Sequence, residues 1–142
     1  MVKLTYLVHR RPDLTEDEFE ERWSTTHGAF VAAHKDALRV TGYAMAPRTR
    51  SSHDLCLTSS RGLTPNDYDG VIEITWPSMD DYQEAMGSPE GLKLLDDMIG
   101  AERGFIDLNR STAFFTAPVT LVDDQSPIVQ KKDFGMKQGS HL

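Results

Sequence analysis

The sequence is poor in cysteine and contains no long apolar run. Its 142 residues include one cysteine, Cys56, which excludes an intramolecular disulfide and a cysteine-rich zinc site. Charged or polar residues interrupt every apolar stretch, so none is long enough to predict a transmembrane helix. The first eleven residues alternate between apolar and polar side chains, which predicts a strand rather than a secretory signal, and therefore a cytoplasmic protein.

Basic residues are also in the minority. The chain has 15 Lys and Arg against 22 Asp and Glu, a net charge of −7, and the basic residues are scattered. This distribution argues against nucleic acid and against an anionic membrane as partners. The composition, 39% hydrophobic and 26% charged, is typical of a folded globular protein, and the length favours a single core.

Strand and helix patterns alternate along the chain. Alternating apolar residues predict strands at 2–9, 38–47 and 68–77 and a fourth within 103–118. Thr15 and Glu18 form a T-x-x-E capping box that starts the first helix. Ser78 caps a short helix, and Ser88 caps another that carries Leu92, Leu95 and Ile99 and stops near Gly100. The order β-α-β-β-α-β predicts an α+β, ferredoxin-like fold with a four-stranded antiparallel sheet and helices on one face.

Two segments stand apart from this pattern. Residues 48–67 predict a long loop with a little local structure near Leu55, and residues 124–142 predict a C-terminal arm beyond a domain of residues 1–123. One layer of helices covers only one face of a sheet. The residues predicted on the other face, Leu7, Tyr43, Met45 and Val71, therefore indicate that a second copy of the chain covers them as a homodimer.

Three stretches together resemble one known family. KLTYLVHRRPDLTEDEFEERWSTTHGAFV is similar to the N-terminal signature of EthD-like proteins, a strand, a basic-proline turn and a helix carrying W-x-x-x-H. FIDLNRSTAFF resembles the second signature of that family, and YDGVIEITWPSMDDYQEAM resembles the stretch between them. The resemblance covers residues 2–122. It departs from the family after the histidine, where Gly28 and Ala29 replace a common Ala-Pro pair.

The resemblance implies a dimeric α/β barrel, in which two ferredoxin-like protomers set their sheets face to face and each keeps a pocket between its sheet and helices. It also implies chemistry on polyketide-like aromatic acids by decarboxylation, dehydration or cyclisation, without a bound cofactor. By the same resemblance, the histidine of the family maps onto His27 and its aspartate onto Asp107.

The residue pattern, considered without the family resemblance, also makes His27 the main candidate for a catalytic residue. It follows Trp23 by four residues and precedes Phe30 by three, so it lies on the buried stripe of the first helix. An inward imidazole can act as general acid or base, or it can be a core histidine with one hydrogen-bond partner. Gly28 beside it suggests room for a ligand, and a helix kink is the alternative.

Two further residues are candidates for the catalytic set. Asp107 could orient His27 or hold a substrate hydroxyl, or it could be a turn residue bonded to nearby backbone. Tyr6 lies on the more apolar face of the first strand, where its hydroxyl could donate to a substrate oxygen or simply reach solvent. The candidates for substrate contact or pocket wall are Trp23, Phe30, His34, Tyr68, Ile72, Ile74 and Trp76.

The resemblance, together with the inward position of His27, implies a cofactor-independent lyase or cyclase that acts on an aromatic or polyketide-type keto acid or phenol, with His27 moving a proton. The spacing of histidines and carboxylates predicts no metal site, because His27 and His34 are two helical turns apart. The alternatives are a cofactor-free or haem-dependent oxygenase of small aromatics and a non-catalytic protein that binds a hydrophobic metabolite.

Overall fold

Four strands form one antiparallel sheet in the computed structural model, which describes residues 1–125. The strands are β1 (Val2–Val8), β2 (Gly42–Pro47), β3 (Gly70–Trp76) and β4 (Thr112–Thr116), in the order β2-β3-β1-β4. Every neighbouring pair is antiparallel. With helices connecting β1 to β2 and β3 to β4, this is the ferredoxin-like arrangement, and the predicted fold class is confirmed.

Six α-helices accompany the sheet in the described part of the chain: α1 (Glu16–Arg22), α2 (Ala29–Ala33), α3 (Lys35–Leu38), α4 (His53–Arg61), α5 (Met79–Gly87) and α6 (Pro89–Glu102). A π-helical turn, Trp23–Gly28, joins α1 to α2, and a short 3₁₀ turn, Leu108–Arg110, precedes β4. None of these helices is long and apolar enough to cross a membrane.

The capping box at the start of α1 forms as predicted. The hydroxyl of Thr15 accepts from the backbone N–H of Glu18 at 3.1 Å, and the carboxylate of Glu18 accepts from the N–H of Thr15 at 2.9 Å. Three acidic residues in the first turn add a favourable interaction with the helix dipole. The sequence therefore sets where the helix that carries His27 begins.

Two residues of β2 lie on the face opposite to the predicted one. Tyr43 pairs with Ile74 and Met45 with Ile72, and directly paired residues of neighbouring strands share a face. Because Ile72 and Ile74 are buried under the helices, Tyr43 and Met45 face the helices as well. The prediction for these two was wrong, because alternation separates the two faces of a strand without stating which of them meets the helices; the pairing of β2 with β3 decides that.

Residues 48–67 are not a continuous loop. Helix α4 occupies His53–Arg61 and ends at Gly62, whose φ of 66° lies in the left-handed region that glycine adopts without strain. No residue of α4 is buried. Its leucines show no complete helical stripe, which is why the pattern did not predict it.

The core lies between the sheet and the helices that follow β1 and β3. Its largest fully buried side chains include Trp23, Trp76, Phe19 and Phe105. Gly70 at the start of β3 permits close packing, because a Cβ there would lie 2.8 Å from Cζ3 of Trp23 and 2.9 Å from the carbonyl oxygen of Ala46. The predicted C-terminal arm, residues 124–142, lies outside the described residues except for positions 124 and 125.

Candidate functional site

The π-helical turn Trp23–Gly28 carries His27 into the core, where its side chain is 0% exposed. A wider turn leaves carbonyl groups of the preceding residues without their usual α-helical partners. The hydroxyls of Ser24, Thr25 and Thr26 donate to carbonyl oxygens three or four residues earlier. Such back-bonding often bends a helix, and π-turns are frequent at functional sites.

A continuous set of hydrogen bonds surrounds the imidazole of His27. Its Nδ1 lies 2.6 Å from the hydroxyl oxygen of Tyr43, and its Nε2 lies 3.1 Å from Oε2 of Glu102. The indole N–H of Trp23 donates to the same Tyr43 hydroxyl at 2.9 Å, and the hydroxyl of Tyr6 donates to Oε1 of Glu102 at 3.0 Å. The five side chains come from β1, β2, the π-turn and the last residue of α6.

This geometry assigns a tautomer to His27. The indole of Trp23 can only donate, so the Tyr43 hydroxyl accepts from it and directs its own hydrogen to Nδ1. Nδ1 is then the acceptor, and the proton of the neutral imidazole is on Nε2, from which it is donated to Glu102. Each donor then has an acceptor, as a buried polar network requires. The arrangement of carboxylate, imidazole and hydroxyl has the logic of a catalytic triad.

Burial keeps both phenols of the network protonated. It raises the pKa of Tyr6 well above the usual range, and the negative charge and hydrogen bond of Glu102 raise it further. Burial likewise raises the pKa of Tyr43, although the bond from Trp23 acts in the opposite direction. Both hydroxyls are therefore hydrogen-bond donors and proton relays rather than phenolates near neutral pH.

A cavity of about 590 Å³ lies beside this network, between the α2–α3 segment and the edge strand β2. Tyr43 and Gly28 line it, together with Lys35 and Thr41, whereas His27 does not. A Cβ at position 28 would lie 3.5 Å from the carbonyl oxygen of Trp23 and 3.9 Å from the Tyr43 ring, both ordinary contacts. Glycine here leaves space in the cavity beside Tyr43. Tyr43 is thus the member of the network that connects this cavity to His27.

The sequence reasoning missed Glu102 and placed the carboxylate at Asp107. Asp107 precedes the 3₁₀ turn, where its Oδ2 lies 3.9 Å from Nη1 of Arg110 and its N–H donates to the carbonyl of His9. The carboxylate beside His27 is Glu102, because α6 continues past Gly100 for a further two residues.

A signal for Glu102 was present in the helical spacing. The buried residues of α6 are Gly91, Leu94, Met98 and Glu102, which recur at intervals of three and four. The predicted stripe instead contained Leu92, which is exposed, and Leu95 and Ile99, which are half-buried. A glutamate on the buried stripe, one turn after Met98, would have indicated an inward carboxylate.

The predicted substrate contacts are spread over several places. Ile72, Ile74 and Trp76 are buried in the core, and the indole of Trp76 donates to the carbonyl of Leu38 at 2.8 Å. The rings of Phe30 and His34 pack against each other at a tilt, with centroids 4.4 Å apart, and Nδ1 of His34 donates to the carbonyl of Phe30. None of these five lines the cavity beside Tyr43.

The other predicted contacts, Trp23 and Tyr68, are also separate from each other. Trp23 belongs to the hydrogen-bond network, whereas Tyr68 precedes β3, packs against the ring of His9 and lines an apolar cavity of about 470 Å³ under α4. As contacts of a substrate, all seven remain predictions.

Metal ligation at the network would compete with its hydrogen bonds. Both ring nitrogens of His27 are engaged, so a metal ion or haem iron would have to replace Tyr43 or Glu102 as partner. Within residues 1–125, no three His, Cys, Asp or Glu side chains are grouped so that they could hold a metal ion.

Residues 11–109 match the family model described as the EthD domain, which is more than half of the chain. The chain belongs to the EthD domain family. The matched range contains His27, Tyr43 and Glu102 but not Tyr6.

Named relatives are distant in sequence. The dehydratase aurZ of Gibberella zeae is 21% identical over 114 residues, which cover 79% of this chain and 73% of that protein. The crystal structure of an EthD family protein of Bacillus halodurans matches with a TM-score of 0.56 at 17% identity, over 84% of this chain and 99% of that one. The protein At3g17210 of Arabidopsis thaliana matches with a TM-score of 0.54 at 12% identity, over 84% and 97%. These structural matches show that the EthD domain here shares their fold.

Proposed function

We propose that this EthD domain is a cofactor-independent lyase or cyclase whose proton-transfer group is His27, acting through Tyr43 on an aromatic or polyketide-type keto or phenolic substrate. The observation that carries the proposal is the buried imidazole between a hydroxyl at 2.6 Å and a carboxylate at 3.1 Å. A packing histidine needs one partner, whereas this one has an acidic partner on one side and a proton relay on the other.

Dehydration is the reaction that this relay fits best. A substrate in the cavity beside Tyr43 would lose a proton from the carbon next to its carbonyl to the Tyr43 oxygen, while the phenol proton moves to Nδ1 of His27. The resulting imidazolium is stabilised by Glu102. The carbon–oxygen bond to a β-hydroxyl then breaks, a carbon–carbon double bond forms, and the same proton returns through Tyr43 to the leaving hydroxyl, which departs as water. Protons and electrons balance without a further reactant.

The environment of the relay supports this chemistry. The raised pKa of Tyr43 means that its phenol passes a proton on and does not accumulate as phenolate. Lys35 and Thr41 line the same cavity and supply donors for a carbonyl or carboxylate oxygen. The volume of about 590 Å³ is within the range of small-molecule sites. The relative that is named a dehydratase supports the same reaction class.

The proposal includes a homodimer. The sheet face away from the helices carries Leu7 and Val71, and Phe114 on β4 is 51% exposed there. Helix α4 lies against part of this face, where Leu57 lines a cavity with Leu7 and Val71, but none of the residues of α4 is buried there. Sedimentation of the full chain, and of Phe114→Glu, tests this: the substitution should shift a dimer towards monomer.

The activity is tested with a panel of aromatic β-hydroxy ketones and β-keto acids. Loss of water or of carbon dioxide is followed by mass spectrometry, with the full chain and its His27→Gln variant. Removal of a general acid–base group reduces turnover by about 10²-fold or more. His53→Gln, at an exposed position of α4, is the matched control and should keep full activity.

Each result distinguishes the candidate functions. Turnover that persists within a few-fold in a folded His27→Gln protein would remove the proposed role. Binding of the same compounds without any product would indicate a carrier of hydrophobic metabolites instead. Product formation that requires oxygen would indicate an oxygenase.

A further inference from the structure

A polar cavity of about 440 Å³ lies at the other end of β1, where the chain turns towards α1. It shares no lining residue with the cavity beside Tyr43. Its charged walls are three arginines and three carboxylates: Arg10, Arg50, Arg110, Glu16, Asp67 and Asp69. His9 and Pro12 complete the lining.

Two buried nitrogen atoms of this cavity lack hydrogen-bond partners within residues 1–125. They are Nδ1 of His9 and Nε of Arg10. Their nearest carboxylate oxygens are too distant for a hydrogen bond, at 3.6 Å for Asp67 and 3.7 Å for Asp69. The His9 side chain is only 8% exposed, and the Tyr68 ring packs against it at a tilt, with centroids 4.4 Å apart. Buried polar atoms are normally paired, so two of them in one cavity wall indicate a ligand.

The unpaired atoms are suited to a ligand that accepts hydrogen bonds. A guanidinium N–H can only donate, and Nδ1 of His9 donates in one neutral tautomer and in the protonated form. Arginine guanidinium groups match the geometry of carboxylate and phosphate oxygens.

The three carboxylates of the cavity differ in how firmly the surrounding protein fixes them. Asp69 is nearly buried, accepts from the backbone N–H of Arg10 at 2.7 Å and contacts the guanidinium of Arg50, so it is a fixed part of the wall. Asp67 and Glu16 are exposed partners of Arg110 and Arg50, and exposed ion pairs contribute little. An entering anion could displace both, which would leave three arginines against one fixed carboxylate.

We infer that this cavity binds the oxyanion group, carboxylate or phosphate, of a small ligand, with Arg10, Arg110 and His9 as the donors. The site is distinct from the His27 network and does not depend on the proposed lyase function. It adds a second binding site at the end of β1 to the acid–base site under the sheet.

The test is an NMR titration of the ¹⁵N-labelled full chain with two separate probes, inorganic phosphate and benzoate. The Nε–H signals of the arginines and the ring signals of His9 report on the unpaired atoms directly. The variant Arg110→Gln removes one exposed donor, and Arg61→Gln removes an equivalent charge on α4, away from the cavity. Saturable binding that shifts the Arg10 and His9 signals is expected, weakened about tenfold or more by Arg110→Gln.

Each outcome decides the inference. Tighter binding of phosphate identifies a phosphate-bearing ligand, tighter binding of benzoate a carboxylate-bearing one, and the Arg61→Gln protein should bind either like the unsubstituted chain. The inference is overturned by absence of saturation with both probes. It is equally overturned if Arg10 and His9 signals stay in place, or if both variants weaken binding to the same extent.

Discussion

Oε2 of Glu102 lies 3.1 Å from Nε2 of His27, although the two residues are 75 positions apart in the chain. One stands at the last residue of α6 and the other in the π-turn, and both are buried. A buried carboxylate is tolerated when its oxygens are hydrogen-bonded, and here Tyr6 and His27 each donate to one oxygen. This contact therefore contributes both to the stability of the core and to the proposed proton transfer.

Removing the charge of Glu102 while keeping the shape of its side chain tests both contributions of the Glu102–His27 contact. In Glu102→Gln the carboxylate becomes a neutral amide, so we expect the free energy of unfolding to fall by about 1–3 kcal/mol. Turnover should fall by about tenfold or more, because the imidazolium loses its counter-charge. Urea unfolding and the ¹⁵N shifts of the His27 ring measure both effects. Glu21→Gln, exposed on α1, is the control, and an unchanged His27 ring spectrum in Glu102→Gln would contradict the assignment.

Removing the hydroxyl of Tyr43 tests the other side of the imidazole. In Tyr43→Phe, the indole N–H of Trp23 and Nδ1 of His27 lose their shared partner, so the free energy of unfolding should fall by about 1–3 kcal/mol. Tyr82→Phe is the matched control, because the Tyr82 hydroxyl has no hydrogen-bond partner within residues 1–125 and its ring contacts remain. That control should change stability by less than about 0.5 kcal/mol. Equal losses of unfolding free energy in Tyr43→Phe and Tyr82→Phe would disprove that the Tyr43 hydroxyl stabilises the network around His27.

The raised pKa values of the Tyr6 and Tyr43 phenols predict that the protein loses stability at alkaline pH. The pKa of Tyr6 and that of Tyr43 are both raised above the ordinary value of 10.0, chiefly by burial. In the unfolded chain these groups ionise near pH 10, while the folded protein still holds their protons. Their stabilisation is therefore complete below that pH and is lost as the pH rises from there towards the folded values.

Denaturant unfolding across this alkaline range measures the effect. The free energy of unfolding should decrease steadily above about pH 10. A Tyr6→Phe variant has one ionisable phenol fewer, so its decrease per pH unit should be smaller. The same slope in the variant and the unsubstituted chain would show that Tyr6 does not contribute.

Glycine substitutions test the packing of Trp23 on β3. In Gly70→Ala the new methyl group would clash with the Trp23 ring and the Ala46 carbonyl, so the free energy of unfolding should fall by about 1–3 kcal/mol. Gly100 in α6 has open space at its Cβ, and Gly100→Ala should be neutral or stabilise by about 0.5–1 kcal/mol. Thermal unfolding of both variants measures this contrast. A Gly70→Ala protein as stable as Gly100→Ala would show that β3 moves away from Trp23 without cost.

Much of the fold follows from local patterns. Alternation along β1 and β3 predicted their inward faces, and the Thr15–Glu18 capping box and the cap residue Ser78 predicted helix starts that the structure shares. Helical spacing from Trp23 predicted the burial of His27. These are properties of single elements, since a residue's position in a helix or strand decides which side it faces.

The partners of His27 did not follow from such patterns. Periodicity states that a side chain faces the core, but not which residue of another element it meets there. Tyr43 was assigned to the opposite face because alternation along β2 does not state which face meets the helices, and Glu102 lay two residues beyond the expected end of α6. The pairing of β2 with β3 sets the face of the strand, and two further helical residues bring the carboxylate of Glu102 onto the buried side.

Local sequence patterns were enough to predict the order of the four strands, the start of the first helix and the inward direction of His27. That Tyr43 and Glu102 hold the imidazole, and that His9 and Arg10 share a cavity with three carboxylates at the far end of β1, depends on the packing of distant elements. The reason is that backbone preference and burial act over a few neighbouring residues. Contacts between side chains far apart in sequence depend on how the finished elements pack.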